Sequence, residues 1–217
     1  MVVGVCNEKG GSGKTTFACN IAIMRALAGR DVLLVDADPQ ASSSEFVKVR
    51  EDLKIQPAIT CVSILGRAVA SEVRKLIPRY QDIIIDAGGR DNAGLRAALV
   101  VSDVLIVPFL PGQFDIWGLE NMDNLLEDAL VLNPEMNPIA VLNKMDSNPR
   151  VGLAQEASEM VNEMKNLRLS SVRIGYRVAY RRSAAEGRAV SELDRKDQKA
   201  ISELEALYKE VFANAQG

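Results

Sequence analysis

Short apolar runs alternate with longer stretches of helical periodicity along this chain. Val2-Val3-Gly4-Val5-Cys6 predicts a first strand. From within the polar loop that follows, to about Ala28, Phe17, Ile21, Met24 and Leu27 recur at helical spacing, and Gly29 suits the helix C-terminus. Residues 31–38, DVLLVDAD, read as a buried strand ending in two acids. A polar helix over 41–52, a strand over 58–64 and a helix over 67–77 stopped by Pro78 come next. QDIIID, residues 81–86, is another buried strand, followed by a helix over 93–101 and a strand over 103–108. A long helix then runs to about Leu132 with Trp117, Leu119, Met122, Leu125, Leu126 and Leu130. NPIAVL, residues 137–142, predicts a strand, 151–167 an amphipathic helix and 171–174 a short last strand. A final helix over 194–214 places Ile201, Leu204, Leu207, Tyr208 and Val211 on one face. Strands alternating with helices predict a single α/β domain spanning residues 1–217. Its twisted sheet should be mainly parallel, with helices on both faces and ligands at the carboxyl ends of the strands.

Composition narrows the class. The chain has 217 residues, of which 47% are hydrophobic and 25% charged, ordinary values for a globular domain with a sizeable core. Aromatics are only 5%, so the core is expected to be aliphatic. No apolar run approaches the length of a membrane span, and the first strand leaves no room for a leader, so a cytoplasmic location is expected. Cys6, Cys19 and Cys61 lie in apolar surroundings without metal-ligand spacing and read as buried, reduced thiols. The chain has no histidine, which excludes imidazole acid–base and metal chemistry.

The chemistry is concentrated in residues 7–16, NEKGGSGKTT, between the first strand and the first helix. A glycine-rich loop in that position turns successive backbone N–H groups into one concavity at the positive end of a helix, where phosphate is the natural occupant. Gly10, Gly11, Ser12, Gly13, Lys14, Thr15 and Thr16 form the candidate cradle. Lys14 would reach the β- and γ-phosphates and the Thr15 hydroxyl would hold Mg²⁺. The plain phosphate-loop pattern wants glycine where Glu8 stands; here a second lysine, Lys9, enters the loop instead.

The string Lys-Gly-Gly-x-Gly-Lys-Thr-Thr resembles the deviant Walker A box of the ParA/MinD family of ATPases. The resemblance implies ATP and Mg²⁺ as ligands and a homodimer formed on ATP binding, with Lys9 reaching the partner subunit's nucleotide. Asp36-Ala37-Asp38-Pro39-Gln40 resembles the family's switch segment. By that resemblance Asp38 positions the attacking water and Asp36 helps order the magnesium shell; read alone, Asp38 is a helix cap. Asp86, closing an apolar strand, has the Walker B form and joins Thr15 and Asp36 as a metal candidate. Gly88-Gly89 replaces the proline-bearing sequence of many relatives, and Gly89 is expected to bring backbone close to the γ-phosphate. The helix after Pro111-Gly112-Gln113-Phe114-Asp115 is either part of a dimer interface or an ordinary covering helix.

Asn143-Lys144-Met145-Asp146 matches the guanine-reading string of GTPases, while ParA-like ATPases place an adenine-contacting asparagine at the same strand end. Asn143 is a base contact on either reading, and ATP is preferred on the strength of the loop and switch segments. The final helix carries Glu203, Glu205 and Glu210, which anionic lipid would repel, so a packed helix is expected and no membrane.

Net charge is −3, yet Arg168, Arg173, Arg177, Arg181, Arg182 and Arg188 cluster with only Glu186 among them. Arginine binds phosphate in a forked geometry, and ParA relatives hold non-specific DNA with basic residues in this part of the chain. Arg173, Arg177, Arg181, Arg182 and Arg188 are therefore the candidate DNA contacts, although charge runs are commonly just solvated faces. With no helix-turn-helix before the first strand, the chain is most similar to the small, plasmid-type (ParF-like) ParA proteins. That resemblance implies a nucleoid-associated ATP form and a ParB-like centromere-binding protein or cargo adaptor that stimulates hydrolysis. An ATP-dependent amide-forming synthetase of the same class and a nucleotide-switch GTPase are the alternatives.

Overall fold

The computed structural model describes residues 1–89, 92–145 and 153–213. Its strands are β1 (Val2–Cys6), β2 (Val32–Asp36), β3 (Thr60–Ser63), β4 (Asp82–Ala87), β5 (Val104–Phe109), β6 (Asn137–Met145) and β7 (Arg168–Gly175). They pair in the order β3-β2-β4-β1-β5-β6-β7, and every pairing is parallel. The helices are α1 (Lys14–Leu27), α2 (Ser42–Asp52), α3 (Ala68–Leu76), α4 (Asn92–Leu99), α5 (Gln113–Leu132), α6 (Leu153–Asn162), α7 (Val178–Glu186) and α8 (Gln198–Val211).

Strand side chains alternate between the two faces, and each face has its own core. Leu33, Val35, Ile83 and Ile85 pack with Val69 and Val73 of α3, Leu95 and Leu99 of α4, Leu119 and Met122 of α5, and Val161 of α6. Val32, Leu34 and Ile84 pack with Phe17 and Ile21 of α1, Phe46 of α2, Ala179 of α7, and Leu204 and Leu207 of α8. Strands buried on both sides are what continuous apolar runs such as VLLV and III require in a parallel sheet. With β1 central and the chain growing outward on either side, the carboxyl ends of β1, β2 and β4 open onto one crevice.

The expected elements are present, with two differences. β7 begins at Arg168, three residues before the strand read at 171–174, because at the sheet edge it alternates polar and apolar residues. The polar helix α7 emerges from the arginine-rich stretch, where only Ala179 and Ser183 are buried, and it closes on Gly187 at φ 58°. α8 packs against β7 and buries Ala200, Leu204, Leu207 and Val211, as expected of a closing helix. No described helix is long and apolar enough to cross a membrane.

Candidate functional site

The loop between β1 and α1 is held from several sides. The buried Asn7 side chain donates from Nδ2 to the Pro108 carbonyl at 2.7 Å and accepts the Lys9 N–H on Oδ1 at 2.8 Å. Gly11 and Gly13 adopt φ values of 76° and 106°, a left-handed backbone that only glycine enters readily. A Cβ on Gly13 would stand 2.2 Å from Asn143 Nδ2. That nitrogen donates to the Ser12 carbonyl at 2.6 Å, Asn143 Oδ1 accepts the Lys144 N–H at 2.8 Å, and Lys144 Nζ donates to the Gly11 carbonyl at 2.6 Å. Asn143 thus borders the cavity and braces the loop through one N–H of its amide, which keeps a second N–H to donate. Asp146, which raised the guanine reading, lies outside the described residues.

Lys14 is buried and its Nζ donates to the Lys9 carbonyl at 3.0 Å. Burial lowers its pKa, while Asp86 and Asp38 favour the charge. Thr15 Oγ1 donates to Asp86 Oδ2 at 2.7 Å, and Ser43 Oγ donates to the same oxygen at 2.6 Å. Asp86 is fully buried, and Oδ1 has no hydrogen-bond partner among the described residues. Burial pushes its pKa up to about 6; the Ser43 and Thr15 hydrogen bonds act against that rise. Ser12 Oγ is likewise buried without a partner. An orphaned carboxylate oxygen beside Thr15, at the mouth of a phosphate loop, fits a divalent cation accompanying phosphates.

Asp36 is bound to the segment that follows it. Its Oδ2 accepts the Ser44 N–H at 2.8 Å and the Ser44 hydroxyl at 2.7 Å, and its Oδ1 accepts the Asp38 N–H at 3.3 Å. It organises the switch segment and the first turn of α2, directly beside Asp86 on the neighbouring strand. Asp38 lines the cavity, and its Oδ1 accepts the Gln40 N–H at 2.9 Å in a tight turn. The two glycines after β4 make room for this arrangement. A Cβ on Gly88 would lie 1.9 Å from Asp38 Oδ2, and one on Gly89 would lie 1.7 Å from the Glu8 carbonyl oxygen. Gly89 therefore seats the β4 loop directly against the phosphate loop.

Lys9 Nζ forms an ion pair with Asp115 Oδ2 at 2.5 Å, at the start of α5. Asp115 is buried and its Oδ1 has no described partner. Sequence reasoning singled out Lys9 and quoted the segment ending in Asp115, but nothing in the pattern joins residues so far apart.

The arginine-rich edge is less free than its sequence implies. α8 folds back along β7 and supplies acids: Arg168 pairs with Glu210 at 2.6 Å, and Arg177 pairs with Glu203 through several contacts. The Glu203 hydrogen bonds hold the Arg177 pKa up. Arg188 lies 4.0 Å from Glu186 and reaches the Glu192 carbonyl. Glu203 and Glu210 lie far along the chain from Arg177 and Arg168 and reach them only through the fold, so a DNA contact by Arg177 would have to draw it from Glu203. Arg173, Arg181 and Arg182 are exposed, with Arg181 stacked 5.6 Å from the Tyr176 ring centre. Arg182 also borders a cleft of about 480 Å³ with Arg195, Lys196 and Lys199, three cations that sequence reasoning passed over.

A larger cavity of about 870 Å³ opens above the phosphate loop. The loop, Asp38 and Gly89 line one part of it, and Tyr176, Arg177, Tyr180 and Arg181 line another. Its volume is that of a small-molecule site. A doubly wound parallel sheet with a lysine-bearing phosphate loop after β1, a switch aspartate after β2 and a buried aspartate on β4 defines a nucleotide-binding protein of the P-loop class.

The chain belongs to the CobQ/CobB/MinD/ParA nucleotide binding domain family, whose model matches residues 3–190. It is 28% identical over 214 residues to maintenance of carboxysome distribution protein A of Halothiobacillus neapolitanus, spanning 97% of this chain and 95% of that protein. Its fold superposes on a plasmid partition protein of Borrelia burgdorferi bound to AMPPNP with a TM-score of 0.75 and 19% identity, covering 99% of this chain and 98% of that one. Cobyrinic acid a,c-diamide synthase of Mycobacterium smegmatis, with a bound ATP analogue and magnesium, gives a TM-score of 0.75 at 20% identity, covering 100% and 95%. The chain therefore has the MinD/ParA type of P-loop fold.

Proposed function

We propose that this protein is a magnesium-dependent ATPase that positions or partitions a cargo through an ATP-dependent homodimer holding DNA without sequence preference. The observation that carries this reading is the convergence of Lys14, Thr15, Asp38 and Asp86 at one loop that also presents Lys9. The loop N–H groups and Lys14 bind the phosphates. Thr15 and Asp86 would hold Mg²⁺, which neutralises charge on the β- and γ-phosphates. Asp38 orients water for in-line attack. Lys9 leaves Asp115 and completes the partner's site, so dimerisation depends on ATP.

The DNA-facing surface is best drawn around Arg173, Arg181, Arg182, Arg195, Lys196 and Lys199, none of which has an ion pair among the described residues. Each phosphate neutralised adds roughly one unit to the log–log salt slope. A ParB-like centromere-binding protein or cargo adaptor stimulates slow hydrolysis and releases the dimer, and the ATP form is nucleoid-associated.

Lys9→Ala is expected to keep nucleotide affinity within about threefold while losing ATP-dependent dimers in light scattering. A sandwich dimer contributes its cross-subunit lysine to phosphate stabilisation rather than to monomer binding. Arg182→Glu with Lys199→Glu should retain the dimers and lose DNA retention. Dimers of normal affinity in the Lys9 variant would sink the proposal. ATP turnover that requires a small carboxylic acid, and neither DNA nor a protein partner, would favour the synthetase reading that the cobyrinic acid synthase fold similarity supports.

A further inference from the structure

We infer that Ser43 is a positioning residue for the magnesium site, fixing which oxygen of Asp86 is left for the cation. The inference rests on Asp86 serving that site, as proposed above. Asp36 and Asp86 are direct neighbours across β2 and β4, so two carboxylates stand side by side. The first turn of α2 meets them with two consecutive serines: Ser43 reaches Asp86, and Ser44 reaches Asp36. Serine is a poor helix former because its hydroxyl competes for nearby backbone groups. Here neither hydroxyl bonds its own helix; both are directed onto the carboxylates.

Ser43 is fully buried, and its geometry leaves little freedom. A hydroxyl has one proton to donate, and an ionised carboxylate only accepts. The Ser43 proton therefore goes to Asp86 Oδ2. The contact between Ser43 Oγ and Cys19 Sγ at 3.6 Å is then a thiol donating to the hydroxyl. Cys19 remains a thiol, because burial holds its pKa well above the ordinary value. Thr15 also donates to Oδ2. Two donors on one oxygen leave Oδ1, buried and without a described partner, as the oxygen available to a cation. Thr15 belongs to the loop that binds phosphate, whereas Ser43 belongs to α2, so Ser43 also links the switch side of the molecule to the Asp86 carboxylate. Partners of this kind, one bond removed from a metal, orient the ligand, and their loss commonly lowers metal affinity by about 10- to 100-fold.

The test is calorimetric titration of ADP at a series of Mg²⁺ concentrations, with no turnover involved. Ser43→Ala is expected to raise the Mg²⁺ concentration needed for half of the magnesium-dependent gain in ADP affinity by about tenfold or more. ADP affinity in EDTA should be unchanged, and Ser43→Thr, which keeps the hydroxyl, should restore the magnesium response. A folded Ser43→Ala protein with the normal magnesium response overturns the inference. So does an equal loss of affinity with and without magnesium, which would mark Ser43 as a packing residue. Asp86→Asn is run alongside: if it too keeps the normal response, the metal assignment of Asp86 fails and the inference falls with it. If only Asp86→Asn loses the response, the site stands and the role of Ser43 does not.

Discussion

Asp86→Asn is expected to raise the melting temperature of the nucleotide-free protein at pH 8 while removing its response to magnesium. Asp86 is fully buried, and burial is the main reason its pKa rises from 3.8 to about 6; the neighbouring Asp36 adds to the rise. The Ser43 and Thr15 hydrogen bonds and the Lys14 charge only partly offset this. A carboxyl that titrates higher in the folded chain than in the unfolded one favours folding while it is protonated. That contribution is complete below about pH 4 and is lost as pH rises through about 6. At pH 8 the ionised group therefore burdens the folded state by about 3 kcal/mol, at 1.4 kcal/mol per pKa unit. The neutral amide removes the burden. At about 2–4 °C per kcal/mol for a chain of this size, the variant should melt several degrees higher at pH 8. Its advantage should shrink steadily toward pH 4. In the wild type, magnesium added with ADP relieves the same burden and should raise the melting temperature. That increment should fade below pH 6, where protons compete for the carboxylate. Melting curves at pH 5 and pH 8, with ADP and with or without Mg²⁺, make the comparison. An Asn variant no more stable than wild type at pH 8 would show that the bonds from Thr15 and Ser43 already offset the cost of burying the charge.

The parts of this site legible in the sequence are those whose residues are adjacent in the chain or sit at the ends of apolar runs. Lys14 and Thr15 belong to one loop, and Asp86 closes a strand, so composition and spacing were enough. A parallel sheet then brings strand ends together whatever the strand order, and the order itself was not legible. The pairings that tune the site are non-local. Lys9 with Asp115, Asn143 with Ser12, Glu8 with Gly89 and Ser43 with Asp86 each join residues from separate loops or helices. Gly88 and Gly89 were visible as a departure from the family's loop, but the reason is steric and lies in Asp38 and Glu8. The ion pairs of the arginine edge are non-local as well. Charge was counted along the chain, whereas α8 returns Glu203 and Glu210 to that surface. α7 escaped notice because a helix that buries only Ala179 and Ser183 has almost no apolar stripe to reveal it.

Arg50→Met is expected to cause a large loss of stability although Arg50 lies outside the nucleotide site. The Arg50 side chain is 1% exposed, and its guanidinium is engaged on every side. Nη1 and Nη2 donate to the two carboxylate oxygens of Glu192 at 2.8 Å each, Nε to the Pro57 carbonyl at 2.9 Å, and Nη1 also to the Gly187 carbonyl at 3.0 Å. The planar fork of arginine matches this set, which a lysine ammonium could not reproduce. Removing Arg50 leaves Glu192 with only the Ala189 N–H and takes the donor from two carbonyls, a cost of about 3–5 kcal/mol. The melting temperature should fall by roughly 10 °C or more. Much of that loss is the penalty on the abandoned carboxylate rather than the intrinsic value of the pair. Glu192→Leu added to Arg50→Met should therefore recover a substantial part of it, and Arg50→Lys should fall between wild type and Arg50→Met. If the double variant is less stable than Arg50→Met alone by the full cost of Glu192→Leu in the wild type, the pair is not coupled. The pair also has a mechanical consequence. α2 is fastened at its first turn by Ser43 and Ser44 to the paired aspartates, and near its end by Arg50 to the loop after α7. Releasing the Arg50 end should increase amide exchange along α2 and the 187–192 segment, while β1 and β4 stay protected. Uniform exchange across the sheet would instead mean that the substitution loosens the fold as a whole.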